Sequence, residues 1–201
     1  VIADKNVIVE LVKVAKKDSR IGFVTGKVYF NEHENTIIQT VGKFSHPINI
    51  VGKHIGTGEK DEGQYDNIEE RDFVDDVFNL VNRKVIEKTG GYDETFFLDF
   101  EEADWQVRSK KLGYKIFYTP HAKLWHKVGM STGGTTSPLR TFHLQRNQII
   151  FTEKHLTPNR FLTYCFNLIL HTLPKKILHK ILTARYDLIA PLFRGILSGF
   201  K

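Results

Sequence analysis

The stretch Phe96-Phe97-Leu98-Asp99-Phe100-Glu101-Glu102-Ala103-Asp104-Trp105-Gln106-Val107-Arg108 decides how this chain is interpreted. It sets four acidic side chains and one arginine in a short apolar frame. Asp104 and Arg108 stand four residues apart and can pair along one helix face, and Glu101 lies on the same side one turn earlier. Glu102 is rotated by about 100° from Glu101, so it faces another direction.

The apolar residues of this stretch predict how the helix is fixed. Phe100, Ala103 and Val107 follow helical spacing, which predicts a stripe buried against a sheet with Glu102 near the helix start. A carboxylate near a helix N-terminus is favoured in its charged form and can act as a general base toward a hydroxyl. Composition alone favours a capped, salt-bridged helix instead, because charge runs are usually solvated faces.

A wider pattern extends from Gly90 to Ser131. It reads Gly-Gly-aromatic-Asp-Glu, then Phe-Phe, an acidic pair, Asp, Arg, Gly-Tyr, Pro and His. With this pattern the segment resembles the catalytic part of family 2 inverting glycosyltransferases with the GT-A fold, especially their rhamnosyltransferase-like and galactofuranosyltransferase-like members. The matching residues are Gly90, Gly91, Tyr92, Asp93, Glu94, Phe96, Phe97, Glu101, Glu102, Asp104, Arg108, Gly113, Tyr114, Pro120 and His126.

The resemblance implies roles for single residues. In the family the second residue of the acidic pair is the catalytic base, usually an aspartate, and here it is Glu102. A later histidine ligates the divalent metal on the donor diphosphate, which implies His126, 24 residues after Glu102, and a Mg²⁺ or Mn²⁺ cofactor. Without the resemblance, a lone histidine after a tryptophan is more often a hydrogen-bonded core residue. The residues expected to orient the acceptor or the helix are Glu101, Asp104, Arg108, Gly90 and Gly91.

Further contacts are predicted past His126. Residues 129–137 hold three glycines and several hydroxyls, consistent with a loop that closes over the diphosphate or with an ordinary connection. Ser131 in this loop is a candidate diphosphate or acceptor contact. Arg146 is another, because Arg146-Asn147 resembles an Arg-Asn pair of the family.

The beginning of the chain resembles a later part of the same fold. Residues 3–30 are similar to the helix and strand that follow the nucleotide-binding half of these enzymes. The family's Asp-x-Asp motif lies just before this helix, and the sequence starts after it. We expect a fragment of a longer enzyme, a chain that receives its N-terminal half from a partner, or one that has lost donor binding. The start at Val1 favours the fragment, which alone should have little transferase activity.

Residues 44–72 are rich in glycine and charge and predict a long loop or ribbon. We interpret its histidines, His46 and His54, as solvated, because no paired-His or Cys spacing supports a metal site. Residues 73–82 predict a strand and 83–88 a short helix that ends at Gly90.

Charge divides the sequence. Residues 1–150 carry 21 basic and 21 acidic residues, whereas residues 151–201 carry eight and two, so the net charge of +6 resides in the last quarter. The sole cysteine, Cys165, excludes an internal disulfide and indicates a reducing compartment. We predict an α/β fold, a partial GT-A domain with a Rossmann-like mixed sheet and flanking helices, over 1–150, and a basic amphipathic helical tail over 151–201.

The apolar residues of the tail recur with helical spacing between basic residues. Its runs are too short to span a bilayer, which takes about 20 apolar residues. Basic amphipathic helices suit a membrane surface, so residues 160–200 are predicted to bind the inner face of the cell membrane from the cytoplasm. The alternatives are packing on the catalytic domain or a homo-oligomer interface. Nucleic acid is disfavoured, because the lysines alternate with aliphatic rather than aromatic side chains.

The resemblance implies inverting transfer of a sugar from a nucleotide diphosphate sugar to a glycan or lipid-linked acceptor, in cell-envelope polysaccharide biosynthesis. Glu102 would deprotonate the acceptor, and a divalent cation with His126 as one ligand would stabilise the leaving diphosphate. The alternative is a noncatalytic membrane-docking or assembly module that keeps the fold but not the donor site.

Overall fold

The computed structural model describes residues 1–31, 37–48, 50, 52–127 and 137–200, so Ser131 lies outside the described residues. The chain divides into two compact units. Unit 1 comprises Val1–Ser45, Gly52–Asp93 and Glu102–Val128, and unit 2 comprises His46–Val51, Glu94–Glu101 and Gly129–Lys201. The predicted division at residue 150 stays a prediction.

Unit 1 is built on a mixed sheet that has six strands within the described part of the chain. Its two long strands, β2 (Ile21–Phe30) and β8 (Lys115–His126), run parallel at the centre, and the four short strands pair with them antiparallel. Helix α1 (Val7–Ala15) packs on β2 and β8, which confirms the predicted α/β fold with a mixed sheet and flanking helices. The elements are β1 (Ile2–Ala3), α1 (Val7–Ala15), β2 (Ile21–Phe30), β3 (Ile38–Thr40), β4 (Lys43–Ser45), β5 (Gly52–His54), β6 (Glu69–Glu70), β7 (Leu80–Val81), α2 (Arg83–Thr89), α3 (Glu101–Lys111) and β8 (Lys115–His126).

The central strand β2 is buried along nearly its whole length, as expected for a strand covered on both faces. Gly26 lies where the sheet is most crowded. A Cβ atom there would stand 2.1 Å from the Ala122 carbonyl oxygen and 2.4 Å from the ring of Phe78, so no larger side chain fits. Thr25 donates a hydrogen bond from its hydroxyl to the Phe78 carbonyl, which fixes this buried phenylalanine in the core.

Helix α2 forms as predicted. The Asn82 side chain accepts a hydrogen bond from the backbone N–H of Lys84, which caps the first turn, and the helix ends at Gly90 with φ of +70°. By contrast, the predicted strand over residues 73–82 is limited to β7.

Helix α3 begins at the predicted place but buries a different face. Ala103 and Val107 are only half-buried, whereas the buried residues are Asp104, Trp105, Gln106 and Ser109. The Gln106 side chain donates to the Val74 carbonyl and accepts from the Val74 N–H, at 2.8 and 2.9 Å. This amide takes the place of a strand partner at Val74 and turns the Gln106 face of α3 inward. Ala103 and Val107 of the predicted stripe are therefore half-buried, whereas Phe100 is buried as predicted.

Unit 2 is helical in its C-terminal part. Helix α7 packs closely on α4, because Gly195 and Gly199 face α4 with no side chain between the backbones. A Cβ at Gly195 would stand 2.4 Å from the Phe142 carbonyl oxygen. No helix within the described ranges has the length and apolar character needed to cross a membrane. The elements are α4 (Pro138–His155), α5 (Pro158–Asn167), a π-helical turn (Leu168–Thr172), α6 (Leu173–Leu182), a 3₁₀ turn (Tyr186–Leu188) and α7 (Ile189–Gly199).

Candidate active site

Glu102 lies in the first turn of α3 and contacts a lysine from a distant strand. The Lys43 Nζ, on β4, is 3.3 Å from Glu102 Oε1 and 2.5 Å from Asp75 Oδ1. Only 12% of the Lys43 side chain and 16% of the Glu102 side chain are exposed, so this contact is largely shielded from water. Lys43 therefore bridges two carboxylates inside unit 1.

Asp75 anchors this group. Its Oδ1 atom also lies 3.1 Å from Nε2 of His54, and its Oδ2 atom is buried without a hydrogen-bond partner among the described residues. Burial would raise the pKa of Asp75, but the His54 hydrogen bond and the Lys43 charge lower it to about 2. Burial alone would lower the pKa of Lys43, yet the charges of Asp75 and Glu102 raise it above the usual value. The carboxylate of Asp75 and the ammonium of Lys43 thus stabilise each other.

A second carboxylate, Asp76, stands beside Glu102. An oxygen of each lies within 4.8 Å of the other. The pKa of Asp76 is raised to about 6, first by desolvation and then by the negative charge of Glu102, against hydrogen bonds from Tyr92 and Asn79 that lower it. Asp76 itself is exposed, and two adjacent carboxylates can share a proton or hold a cation.

The predicted pair of Asp104 and Arg108 is confirmed, and Arg108 also contacts the turn that follows α2. Asp104 is fully buried and accepts from Nε of Arg108 at 2.7 Å. The Arg108 guanidinium also donates to the carbonyls of Thr89 and Gly91, so it ties α3 to the turn at Gly90. These contacts orient the helix. A contact of these residues with an acceptor stays a prediction, as it does for Glu101, the half-buried first residue of α3.

His126 ends strand β8. Its Nδ1 atom lies 3.0 Å from the Gln39 side-chain oxygen. Burial lowers the pKa of His126, and the Asp75 charge opposes this only in part. Across the described ranges, no group of three or more potential metal-ligating side chains includes His126. Its role as a metal ligand stays a prediction.

In unit 2, Arg146 and Asn147 bind backbone carbonyls. Arg146 Nη1 donates to the carbonyl of Thr95 at 2.9 Å, and the Asn147 amide donates to the carbonyls of residues 97, 98 and 99. Residues 98–100 have positive φ angles of 63°, 76° and 80°, which non-glycine residues rarely adopt. The Asn147 amide thus holds a strained segment, and the diphosphate contact of Arg146 stays a prediction.

Unit 1 also contains a cavity of about 580 Å³ that no sequence pattern indicated. It lies beside the β4–β5 ribbon, where Phe44 and Lys53 are cross-strand neighbours. His54 belongs to its wall and contacts Asp75, so this histidine, interpreted from the sequence as a solvated loop residue, has a carboxylate partner. The lining residues are Phe44, Lys53, His54, Ile55, Gly56, Thr57, Glu59 and Tyr65.

Comparison with known proteins gives a distant similarity. No protein-family model matches the chain. Over 76 residues it is 30% identical to an N-acetylglucosaminyl-diphospho-decaprenol L-rhamnosyltransferase of Mycobacterium tuberculosis, in the strains CDC 1551 / Oshkosh and ATCC 25618 / H37Rv. The match covers 38% of this chain and 25% of those proteins, so it spans a quarter of the curated relatives. This similarity supports a distant relationship to glycosyltransferases.

Proposed function

We propose that this chain is part of an inverting glycosyltransferase that moves a sugar from a nucleotide diphosphate sugar to a glycan or lipid-linked acceptor. The observation that carries the proposal is the environment of Glu102, a shielded carboxylate at a helix start, beside Asp76 and in contact with Lys43. The similarity to a rhamnosyltransferase supports the reaction class, and the diphospho-decaprenol in that protein's name supports a lipid-linked acceptor.

In this proposal Glu102 takes the proton of the acceptor hydroxyl while the hydroxyl oxygen attacks the anomeric carbon of the donor from the face opposite the diphosphate. The bond from the anomeric carbon to the diphosphate oxygen breaks, so the configuration inverts. Lys43 holds the Glu102 carboxylate in place, and the buried Asp75 holds Lys43. A carboxylate held in this way is already oriented to act as the base before the acceptor binds.

The proposed cofactor is Mg²⁺ or Mn²⁺, which when bound would stabilise the charge of the leaving diphosphate. His126 fits the role of one ligand. Its lowered pKa keeps the imidazole neutral, and the Gln39 contact at Nδ1 directs Nε2 to be the ligand atom. His126 would therefore bind the cation on the donor side while Glu102 serves the acceptor.

Replacing Glu102 with glutamine in the full-length enzyme tests the base. The amide keeps the size of the side chain but cannot take a proton, so we expect turnover to fall by a factor of about 10² or more, with donor binding retained. Glu87→Gln, on the exposed face of α2, is the matched control and should retain activity. Full turnover in the Glu102 variant would remove it from the base role, and absence of donor binding by the wild-type enzyme would favour the noncatalytic module.

We also propose that unit 2 docks on the inner face of the cell membrane as a peripheral protein. Its C-terminal helices expose many large apolar side chains, and residues 151–201 carry eight basic residues against two acidic ones. Apolar side chains beside lysines and arginines suit the boundary of an anionic bilayer. Cosedimentation should show binding to anionic vesicles and little to zwitterionic ones, whereas self-association without vesicle binding would support a homo-oligomer interface. The exposed residues are Leu162, Phe166, Ile169, Leu170, Leu178, Ile181, Leu182, Tyr186, Phe193, Leu197 and Phe200.

A further inference from the structure

The cavity beside the β4–β5 ribbon has the size of a small-molecule site. Its volume of about 580 Å³ lies within the range of ordinary ligand pockets. Phe44 on its wall is 57% exposed, and an aromatic ring left this open to water at the mouth of a cavity offers apolar surface to a ligand. The cavity therefore combines a volume for a ligand with an aromatic surface to contact it.

The wall carries hydrogen-bond donors and acceptors, and its charged side chains include both a cation and an anion. Lys53 and His54 supply nitrogen donors, and the carboxylate of Glu59 and the hydroxyl of Thr57 supply acceptors. A phosphate group bound here would meet the Glu59 carboxylate, and a free cation would meet Lys53. The lining thus favours a neutral ligand that carries many hydroxyl groups and one apolar face, which is the chemistry of a sugar ring.

The wall is fixed by contacts within unit 1. Tyr65 donates from its hydroxyl to Glu59 at 2.9 Å, while Tyr118 donates to the Tyr65 backbone carbonyl at 2.8 Å. Gly56 has φ of +77°, and a Cβ there would stand 2.9 Å from the Tyr65 ring. Thr57 donates to the Gln39 carbonyl at 2.7 Å, which still leaves its oxygen able to accept. A wall held in this way loses little freedom when a ligand binds.

The cavity also lies close to the proposed base. His54 in its wall contacts Asp75, which contacts Lys43, which contacts Glu102. Because contacts of 3.1, 2.5 and 3.3 Å join these atoms in series, His54 Nε2 lies no more than about 9 Å from Glu102 Oε1. A sugar bound in the cavity therefore lies in the neighbourhood of the carboxylate that would take its proton or that of the next sugar.

From these observations we infer that the cavity binds a sugar residue of the acceptor, with the apolar face of the ring on Phe44 and its hydroxyls on His54, Thr57 and Glu59. The inference rests on the proposed function, because the acceptor is the substrate that needs the base. It adds a binding site on the β4–β5 ribbon, a part of the chain for which the sequence indicated only a loop or ribbon.

Sugar binding by the full-length protein tests this inference. The probes are the methyl glycosides of glucose, galactose, N-acetylglucosamine and rhamnose, with inorganic diphosphate as the anionic contrast, followed by NMR titration. We expect at least one glycoside to bind and Phe44→Ala to weaken it by tenfold or more, while Phe44→Trp restores it. The matched control, Leu112→Ala, removes an equally exposed apolar side chain from the end of α3 and should change nothing.

Each outcome bears on one proposal. Glycoside affinity that is the same in Phe44→Ala, or the absence of binding by every glycoside, overturns the sugar site. Diphosphate binding that Lys53→Met abolishes overturns it in favour of an anion site. In turnover assays Phe44→Ala should raise the KM for the acceptor and leave the KM for the donor unchanged. If Glu102→Gln retains turnover while Phe44-dependent sugar binding persists, the base assignment fails and the sugar site stands.

Discussion

Two lysines, one in each unit, have opposite surroundings. Lys27 in β2 is 1% exposed, and its ammonium lies 2.9 Å from carboxylate oxygens of both Asp61 and Asp66. Lys176 in α6 donates to the neutral amide of Gln145 at 2.7 Å. Burial and the neighbouring Lys180 lower the pKa of Lys176 to about 8.

This difference shows how the two units use charge. Unit 1 neutralises its shielded cations with its own carboxylates, at Lys27 and again at Lys43. The last 51 residues, which belong to unit 2, contain eight basic and only two acidic residues. Lys27 and Lys43 are therefore paired with carboxylates within unit 1, whereas residues 151–201 hold an excess of six basic residues.

The largest change, a loss in the free energy of unfolding of unit 1, is expected when Lys27 is replaced by methionine. The change leaves Asp61, with only 14% of its side chain exposed, without its cation, and removing one partner of a buried ion pair costs roughly 3 kcal/mol. Urea unfolding followed by tryptophan fluorescence measures unit 1 selectively, because both tryptophans belong to it. Lys13→Met, which breaks an exposed pair on α1, is the control and should cost less than about 1 kcal/mol.

The same variant should change the response to acid. Burial would raise the pKa of Asp61, but hydrogen bonds from Lys27 and Tyr29 lower it below the usual value. A lowered folded pKa adds stability that is present above the unfolded pKa of about 3.9 and is lost as the pH falls through the folded pKa. Without Lys27 the acid-unfolding midpoint should move to higher pH. An unchanged midpoint would mean that Tyr29 alone sustains the shift.

A smaller effect on the pH dependence of stability is expected at Lys176. Its folded pKa of about 8 lies below the unfolded value of about 10.4, so the unfolded chain binds more protons between these values and stability rises with pH there. Lys176→Met should remove this rise, which is on the order of 3 kcal/mol at most. Circular dichroism during urea unfolding at pH 7 to 10 measures it, with the exposed Lys175→Met as control. The same pH dependence in both variants would contradict the assignment.

The smallest effect, on binding to anionic vesicles, is expected when single exposed basic residues of unit 2 are replaced. Each basic residue near an anionic bilayer contributes about 1 kcal/mol, so Lys175→Gln or Arg194→Gln should each weaken binding to anionic vesicles about fivefold. Lys13→Gln in unit 1 should leave vesicle binding unchanged. If all three variants bind equally, the tail charges do not contact the membrane, and the contrast between the two units fails at this point.

Patterns among residues close in sequence were sufficient to predict part of the fold. The stop at Gly90 is a short-range signal, and it predicted the end of α2 correctly. The same holds for the pair of Asp104 and Arg108, which needs only helical spacing. The segment around Val74 was mispredicted because its backbone partner is the side chain of Gln106, 32 residues away, and no local period encodes such a contact.

The candidate site shows the same limit. Glu102 was identified through a motif that is continuous in sequence. Its cation, Lys43, stands 59 residues earlier on a three-residue strand next to a glycine-rich stretch, and nothing near it in sequence indicates a carboxylate partner. The cavity combines residues from β4, β5 and the following turn, and their meeting depends on how the ribbon folds rather than on composition.

The discontinuity of unit 2 constrains how this protein could have been assembled in evolution. Its helices supply donors to two short segments from earlier in the chain: Arg160 donates to the carbonyl of Pro47, and Asn147 to the carbonyls of residues 97–99. A gene rearrangement that exchanged everything after residue 128 would strip both segments of these partners. A chimaera with different C-terminal helices would therefore need compensating changes around residue 47 and at residues 97–99.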